Sequence, residues 1–339
     1  MSSSQQLEIL KNLEGFFGNT PIVEVSFKYK SKVKKIYAKY EAFNFSGSIK
    51  DRIALHILKK SYEKNLIKKD DVIVEATSGN TGIAFSALGR ALGHKVKIFM
   101  PDWLSKERYD TIELYGAEVI KISKEQGGFL RSISEANEFV AKNPNAFCPQ
   151  QFTNIENINA HFEYTAPELF NNIQKLGVKL THFVAGVGTG GTIMGFHKFC
   201  LANNLAVKCH PLEPLNSPTL STGGKKIGQH RIQGISDEFI PEILKLNELE
   251  KIVSVDDADA VIMAQKINQA GLSVGISSGA NFIGALKLLE ENSQDFGVAT
   301  IFCDSALKYL STDLCKTEAL KSNLLSPEVE ILSIKTFRC

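Results

Sequence analysis

THFVAGVGTGGTIMGF, residues 181–196, joins a β-rich run to a glycine-crowded turn and then to an apolar helical stretch. Gly186, Gly188 and Gly191 give G-x-G-x-x-G, the spacing of a dinucleotide-binding turn between a strand and a helix. That order puts a ligand beyond the carboxyl end of a parallel strand. It recurs along the chain. VIVEA (72–76) runs through TSGN into TGIAFSALGRALG, KVKIFMP (95–101) precedes KERYDTIELYG, and AEVIKIS (117–123) precedes LRSISEANEFVAKN (130–143). Beyond 196, VKCHPLEP (207–214) reads as a strand and 256–270 as a helix; the turn GISSGA opens another helix, and VATIFCD (298–304) is a strand. This alternation predicts an α/β fold of mainly parallel sheets flanked by helices. The C-terminal stretch lacks a clear period and reads as a tail over the surface.

The 339 residues, 43% hydrophobic and 22% charged, are enough for two lobes with substantial cores. Net charge is +2, and runs such as KYKSKVKK read as solvated faces, not as a nucleic-acid surface. The cysteines at 148, 200, 209, 303, 315 and 339 form no C-x-x-C pair and no metal-ligand spacing. They are expected to be reduced thiols of a cytoplasmic protein. MSSSQQLEIL lacks the basic-then-apolar pattern of a signal peptide, and no apolar run reaches membrane-spanning length. The expectation is a soluble protein with neither a membrane nor a nucleic-acid partner.

Three turns after strands offer backbone N–H groups at a helix start: TSGNTG, GVGTGGT and GISSGAN. Each suits an anion, and together they suggest a ligand with more than one anionic group. For a dinucleotide, Glu213 stands at the end of the next strand, where a ribose-binding carboxylate belongs. Against it, Thr189 and Thr192 flank Gly190 and Gly191, and a G-T-G-G-T turn can wrap amides and two hydroxyls around one phosphate monoester. The turn alone does not decide.

Lys50 does. In EAFNFSGSIKDRIALHIL (41–58) it follows a Ser-Gly-Ser turn and opens an apolar helical run. A lysine in a first turn is most often a solvated charge, yet helix N-termini disfavour cations. An amine meant to attack an aldehyde must lose its proton near neutrality, which such a place promotes. Pyridoxal phosphate supplies an aldehyde, a phosphate monoester and an aromatic ring.

NFSGSIKDR, EATSGNTGIAFS, CPQQFTN, GVGTGGT, HRIQGISDEFIP, GISSGAN and CDSALKYLST resemble, in order, the motifs of the β-replacement family of pyridoxal-phosphate enzymes. These are the cysteine synthases (O-acetylserine sulfhydrylases) and cystathionine β-synthases, of the tryptophan-synthase-β fold. The likeness runs from GNTPIV (18–23) to about residue 312. It implies two domains: residues 1–50 with 153–339 as the larger, cofactor-anchoring one, and 51–152 as a smaller mobile one. It implies that Lys50 forms the Schiff base and removes the substrate Cα proton, and that Gly188, Thr189, Gly190, Gly191 and Thr192 hold the phosphate. Asn80 would meet the ring's phenolic oxygen and Ser277 the pyridine nitrogen. Thr77, Ser78, Gly79 and Thr81, with Gln151, would receive the substrate carboxylate. By themselves Thr77–Thr81 and Ser277 could equally cap helices. A homodimer is also implied, and a docked serine acetyltransferase is a possible partner.

The leading activity is then cysteine synthase: O-acetyl-L-serine and sulfide giving L-cysteine and acetate. Departures from the family pattern bear on it. Phe45 and Ser46 replace a common Pro-Gly, and CDSALKYLST lacks the usual Gly-Glu-Arg. GISDEFIP (234–241) stands where simple cysteine synthases resemble GIGAGFIP. If Asp237 faces the cofactor, with Glu238 beside it, the alternative is a cystathionine β-synthase-like enzyme or one that releases sulfide from cysteine. Asp237 would then orient an amino thiol or a water; the plain alternative is two solvent-exposed loop acids. A NAD-dependent dehydrogenase and a non-catalytic relative are the readings from other classes.

Overall fold

A computed structural model describes residues 3–291 and 297–338. Its strands are β1 (Ile22–Tyr29), β2 (Lys32–Tyr40), β3 (Val72–Ala76), β4 (Val96–Pro101), β5 (Glu118–Ile122), β6 (Ala146–Phe147), β7 (Leu180–Gly186), β8 (Lys208–Pro214), β9 (Val253–Val255), β10 (Gly297–Phe302) and β11 (Glu330–Phe337). They form two sheets. One has the order β11-β1-β2-β10-β7-β8-β9, the other β5-β4-β3-β6. The smaller sheet is parallel throughout, and the larger is parallel from β2 to β9. This is the α/β architecture expected from the alternation.

The helices are α1 (Ser3–Leu13), α2 (Lys50–Glu63), α3 (Asn80–Ala91), α4 (Lys106–Leu114), α5 (Gly128–Lys142), α6 (Ile155–Ala160), α7 (Ala166–Lys175), α8 (Gly191–Ala202), α9 (Asp257–Gln269) and α10 (Ile276–Glu291). Each sheet is packed by apolar side chains. Phe27 of β1 meets Phe282 of α10 edge-on at 4.9 Å, and Phe183 of β7 stacks on Phe196 of α8 at 4.1 Å. Burying one such ring stabilises by about 1.5–3 kcal/mol. The smaller sheet has a separate core, in which Leu10 of α1 packs with Ile53, Ile83 and Ile98.

Two elements differ from expectation. The C-terminal stretch is not a surface tail, because β11 pairs antiparallel with β1 from Ile22↔Phe337 to Lys28↔Glu330. And GISSGA is not a turn ahead of a helix: α10 begins at Ile276, so Ser277 and Ser278 lie in its first turn. The cysteines at 148, 200, 209, 303 and 315 are free thiols; Cys339 lies outside the described residues. Among the described residues no helix is long and apolar enough to cross a membrane.

Candidate active site

The site forms where β2, β3, β7 and β10 end, as parallel sheets require. Lys50 opens α2, and its neighbours fix it there. Asp51 accepts the backbone N–H groups of Ser46 (3.0 Å) and Ser48 (3.1 Å), closing the Ser-Gly-Ser turn. Arg52 is clamped between Glu41 and Glu168, and buried Lys39 bonds Glu168 at 3.0 Å. Lys50 itself reaches a small cavity of about 50 Å³ shared with Thr77, Ser78, Asn80, Thr81 and Gln151. Burial pushes its amine below the ordinary lysine range, while Cys303, Asp237 and Asp304 pull it partly back. No carboxylate comes within ion-pair distance of it among the described residues.

The turn after β7 forms a second wall. Gly190 has φ +83° and caps α8; the Gly191 N–H donates to Thr189 Oγ1 at 3.3 Å, and a helix start of this kind suits an anion. A Cβ on Gly188 would fall 2.4 Å from the Gly234 carbonyl oxygen, and one on Gly191 would fall 1.9 Å from Asn157 Oδ1. Asn157 Nδ2 donates to Thr189 Oγ1 at 2.9 Å, and Thr192 Oγ1 lies 3.3 Å from His161 Nε2. Burial, with the charges of Lys50 and Arg52, holds the His161 imidazole well below its usual pKa, so it is neutral. Gly188, Thr189 and Thr192 line the cavity; Gly190 and Gly191 do not.

A third wall comes from the end of β3. Gly79 N–H donates to Thr77 Oγ1 (2.9 Å), Thr81 Oγ1 donates to Gln151 Oε1 (2.7 Å), and Gln151 Nε2 donates to the Ala76 carbonyl (2.7 Å). Asn80 Nδ2 donates to Asp304 at 2.7 Å, and Lys308 Nζ donates to Asn80 Oδ1 at 3.0 Å. Ser277 and Cys303 close the floor; burial pushes the Cys303 thiol up to about 12.

Asp237 also lines this cavity, and its other side opens on a cleft of about 730 Å³. Ser236 (φ +53°) turns it inward, with Ser236 N–H on the Val187 carbonyl at 2.7 Å. Burial raises the Asp237 carboxyl to about 7, against the pull of the Lys50 ammonium; Glu238 adds to the rise. Glu238 stays in the outer cleft near Trp103. Phe239 packs between Phe129 (6.4 Å) and Phe152 (5.0 Å), pinning the acid loop to the smaller sheet's side. Both acids are therefore at the cavity or its mouth.

Glu213 is used differently from a ribose ligand. It is fully buried and accepts the N–H groups of Leu220 (2.8 Å) and Ser221 (3.2 Å), so it caps a loop and has no face for a dinucleotide. Sequence reasoning missed Arg108, Asn157, His161, Cys303 and Asp304 as individual residues of the site. Asp304 and Cys303 lay inside a motif already singled out, and Asn157 closely follows CPQQFTN; Arg108 gave no local signal.

The chain matches the family described as pyridoxal-phosphate dependent enzyme over residues 13–304. It belongs to that family. It is 38% identical to a probable cysteine synthase of Bacillus subtilis over 309 residues, which cover 91% of this chain and 98% of that protein. It is 39% identical to cysteine synthase B of Campylobacter jejuni over 308 residues, 91% and 99% of the two chains. The crystal structure of a hydrogen sulfide-producing enzyme from Fusobacterium nucleatum superposes with a TM-score of 0.94 at 51% identity, covering 98% of this chain and 99% of that one. The chain is thus a pyridoxal-phosphate-dependent β-replacement enzyme of the cysteine synthase type.

Proposed function

We propose that this enzyme releases sulfide from L-cysteine, with water as the incoming nucleophile and L-serine as the product. The observation that carries this reading is the Asp237 carboxyl, set in one cavity with the Lys50 amine and raised to about 7. Water needs a base in order to add to carbon, and a carboxyl poised near neutrality can take its proton. Hydrosulfide is already an anion. It needs no base, and an ionised Asp237 repels it.

The residues fit the cofactor. Gly188 and Gly191 leave no room for a Cβ, so the amides of 188–192 would hold the phosphate ester at the start of α8. Lys50 would bind the aldehyde, Asn80 would give its remaining amide hydrogen to the phenolic oxygen, and Ser277 would face the pyridine nitrogen. When bound, the group draws electrons from the substrate Cα and so loosens both its proton and the β substituent.

Thr77, Ser78, Gly79, Thr81 and Gln151 hold the α-carboxylate. Lys50 Nζ, shifted by burial below the ordinary lysine range, takes the Cα proton and later returns it. The C–S bond breaks and hydrosulfide departs; the C–O bond then forms as water gives its proton to Asp237, which passes it to solvent, so that L-cysteine and water give L-serine and H2S overall. Residues 51–152 close on 1–50 and 153–339 and limit the water that enters. Two sheets with distinct cores support such a movement, in which α1, whose Leu10 packs in the smaller sheet's core, would travel with residues 51–152.

The second reading is cysteine synthesis from O-acetyl-L-serine and sulfide, favoured by the 38–39% identity to cysteine synthases. A serine acetyltransferase would then be the natural partner; a homodimer suits either reading. The test gives the holoenzyme L-cysteine alone, then O-acetyl-L-serine with sulfide, and quantifies sulfide, serine and cysteine. Equimolar sulfide and serine from cysteine support the first reading. Cysteine formation without any sulfide release sinks it.

A further inference from the structure

Arg108, in α4, is 1% exposed. Its Nε and Nη1 are shut off from solvent and have no hydrogen-bond partner, and its guanidinium forms no ion pair among the described residues. Such a group cannot shed its proton, so it stays a buried charge. One face lies 4.6 Å over the ring of Tyr309. Another edge presses on the turn after β3: a Cβ on Gly79 would fall 2.1 Å from Arg108 Cδ and 2.4 Å from Nε. The glycine at 79, with φ +140°, is what lets the arginine approach.

Arg108 lines the same cavity as Lys50, Thr77, Ser78, Thr81 and Gln151. The other charges nearby do not neutralise it. Lys308 is buried on Asn80, and the carboxylate of Asp304 takes the hydrogens of Asn80 and Tyr309 on one oxygen. Its second oxygen points at Gly275. Asp237, the other acid lining the cavity, and Asp51, which acts on Lys308, form no ion pair with Arg108, so its guanidinium is left without a carboxylate partner among the described residues.

We propose that Arg108 is the counter-charge for the α-carboxylate of the amino-acid substrate. The proposal rests on the reading that the Thr77–Thr81 turn receives that carboxylate, and holds for either nucleophile. A planar guanidinium behind the turn matches a planar carboxylate in charge and geometry. The enzyme then selects free amino acids over their amides and esters, because a neutral carbonyl leaves Arg108 uncompensated.

The experiment titrates the holoenzyme with L-alanine and with L-alaninamide, neither of which carries a β leaving group. Binding is read from cofactor absorbance and from the fluorescence of Trp103, the one tryptophan, which sits in the cleft. In the wild-type enzyme alanine binds more tightly than its amide. Arg108→Gln lowers that ratio about ten- to a hundredfold, chiefly through alanine, and Arg108→Lys keeps part of it. A ratio unchanged in Arg108→Gln overturns the proposal. If that variant yields no holoenzyme, a ratio in Arg108→Lys equal to wild type, or a wild-type enzyme indifferent between the two ligands, overturns it as well. Because no sulfur chemistry is involved, failure here is separable from failure of sulfide release, which product analysis with L-cysteine reads on its own.

Discussion

The side-chain nitrogen of Asn157 lies 2.9 Å from the Thr189 hydroxyl. The same nitrogen donates to the Gln151 carbonyl at 2.8 Å, so one buried amide braces both the glycine–threonine turn and the glutamine beside Thr81. Asn157→Ala strips both acceptors of their donor, at about 1–3 kcal/mol for each group left unpaired. Pyridoxal phosphate is expected to bind about tenfold more weakly or worse, with a lower Tm. Absorbance titration of the apoenzyme and thermal unfolding measure the two effects. Unaltered cofactor affinity would remove Asn157 from the brace.

The Asp237 carboxyl sets a pH dependence whose sign is fixed. Burial raises it to about 7, so it is a neutral acid below that value and a base above it. The kcat/KM for sulfide release therefore rises as pH increases through about 7 and then levels. Asp237→Asn should flatten this limb and slow the reaction by about 10²–10⁴, while sulfide addition to O-acetylserine is not slowed and, with the repelling charge gone, rises above pH 7. A limb that survives the substitution belongs to another group.

The parallel sheets and the turns TSGNTG and GVGTGGT were legible because their signals are local: an apolar run, then glycines and hydroxyls, then a helix. GISSGAN, which follows no strand, was misread as a turn because its residues already belong to α10. The β1–β2 hairpin was not. Its two-residue turn is Lys30-Ser31, both at positive φ without the usual Asn-Gly, and the lysines of KYKSKVKK read as a solvated face. β11 (EILSIKTF) is exposed or half-buried throughout and mixes apolar with polar residues without strict alternation, so it reads as a strand only once β1 is placed beside it. Lys50 could be picked out because a cation at a helix start is anomalous. Arg108 and Asn157 could not, since their burial depends on partners such as Tyr309 and Thr189 far along the chain. Glu213 was a false lead of the same kind: its position suits a ribose, but the loop at 217–221 folds back and takes its carboxylate.

Glu75 couples stability to pH. Its carboxyl, buried beneath Ala76 and Gln151 and accepting N–H groups from both, is raised to about 8 by burial. The folded chain therefore holds a proton that the unfolded chain has lost, and stability falls as pH rises from the ordinary glutamate range through about 8. Glu75→Gln, neutral at every pH, should remove this slope and raise Tm at pH 9 relative to wild type. Parallel Tm curves for the two proteins between pH 5 and 9 would show that the carboxyl does not titrate there.

Gly188 and Gly190 lie in one turn but are constrained by different neighbours, which separates two consequences of crowding it. An added Cβ at 188 meets a backbone oxygen of Gly234, three residues before Asp237, and neither chain can yield without moving the acid loop. At 190 the obstacle is the Leu244 side chain at 3.1 Å, together with a φ of +83° that costs an alanine about 1–2 kcal/mol. Gly188→Ala should therefore weaken cofactor binding and also distort the rising pH limb assigned to Asp237. Gly190→Ala should lower stability and cofactor affinity but leave that limb where it was. If both variants shift the limb alike, the contact between Gly188 and Gly234 is not what holds the carboxylate in place.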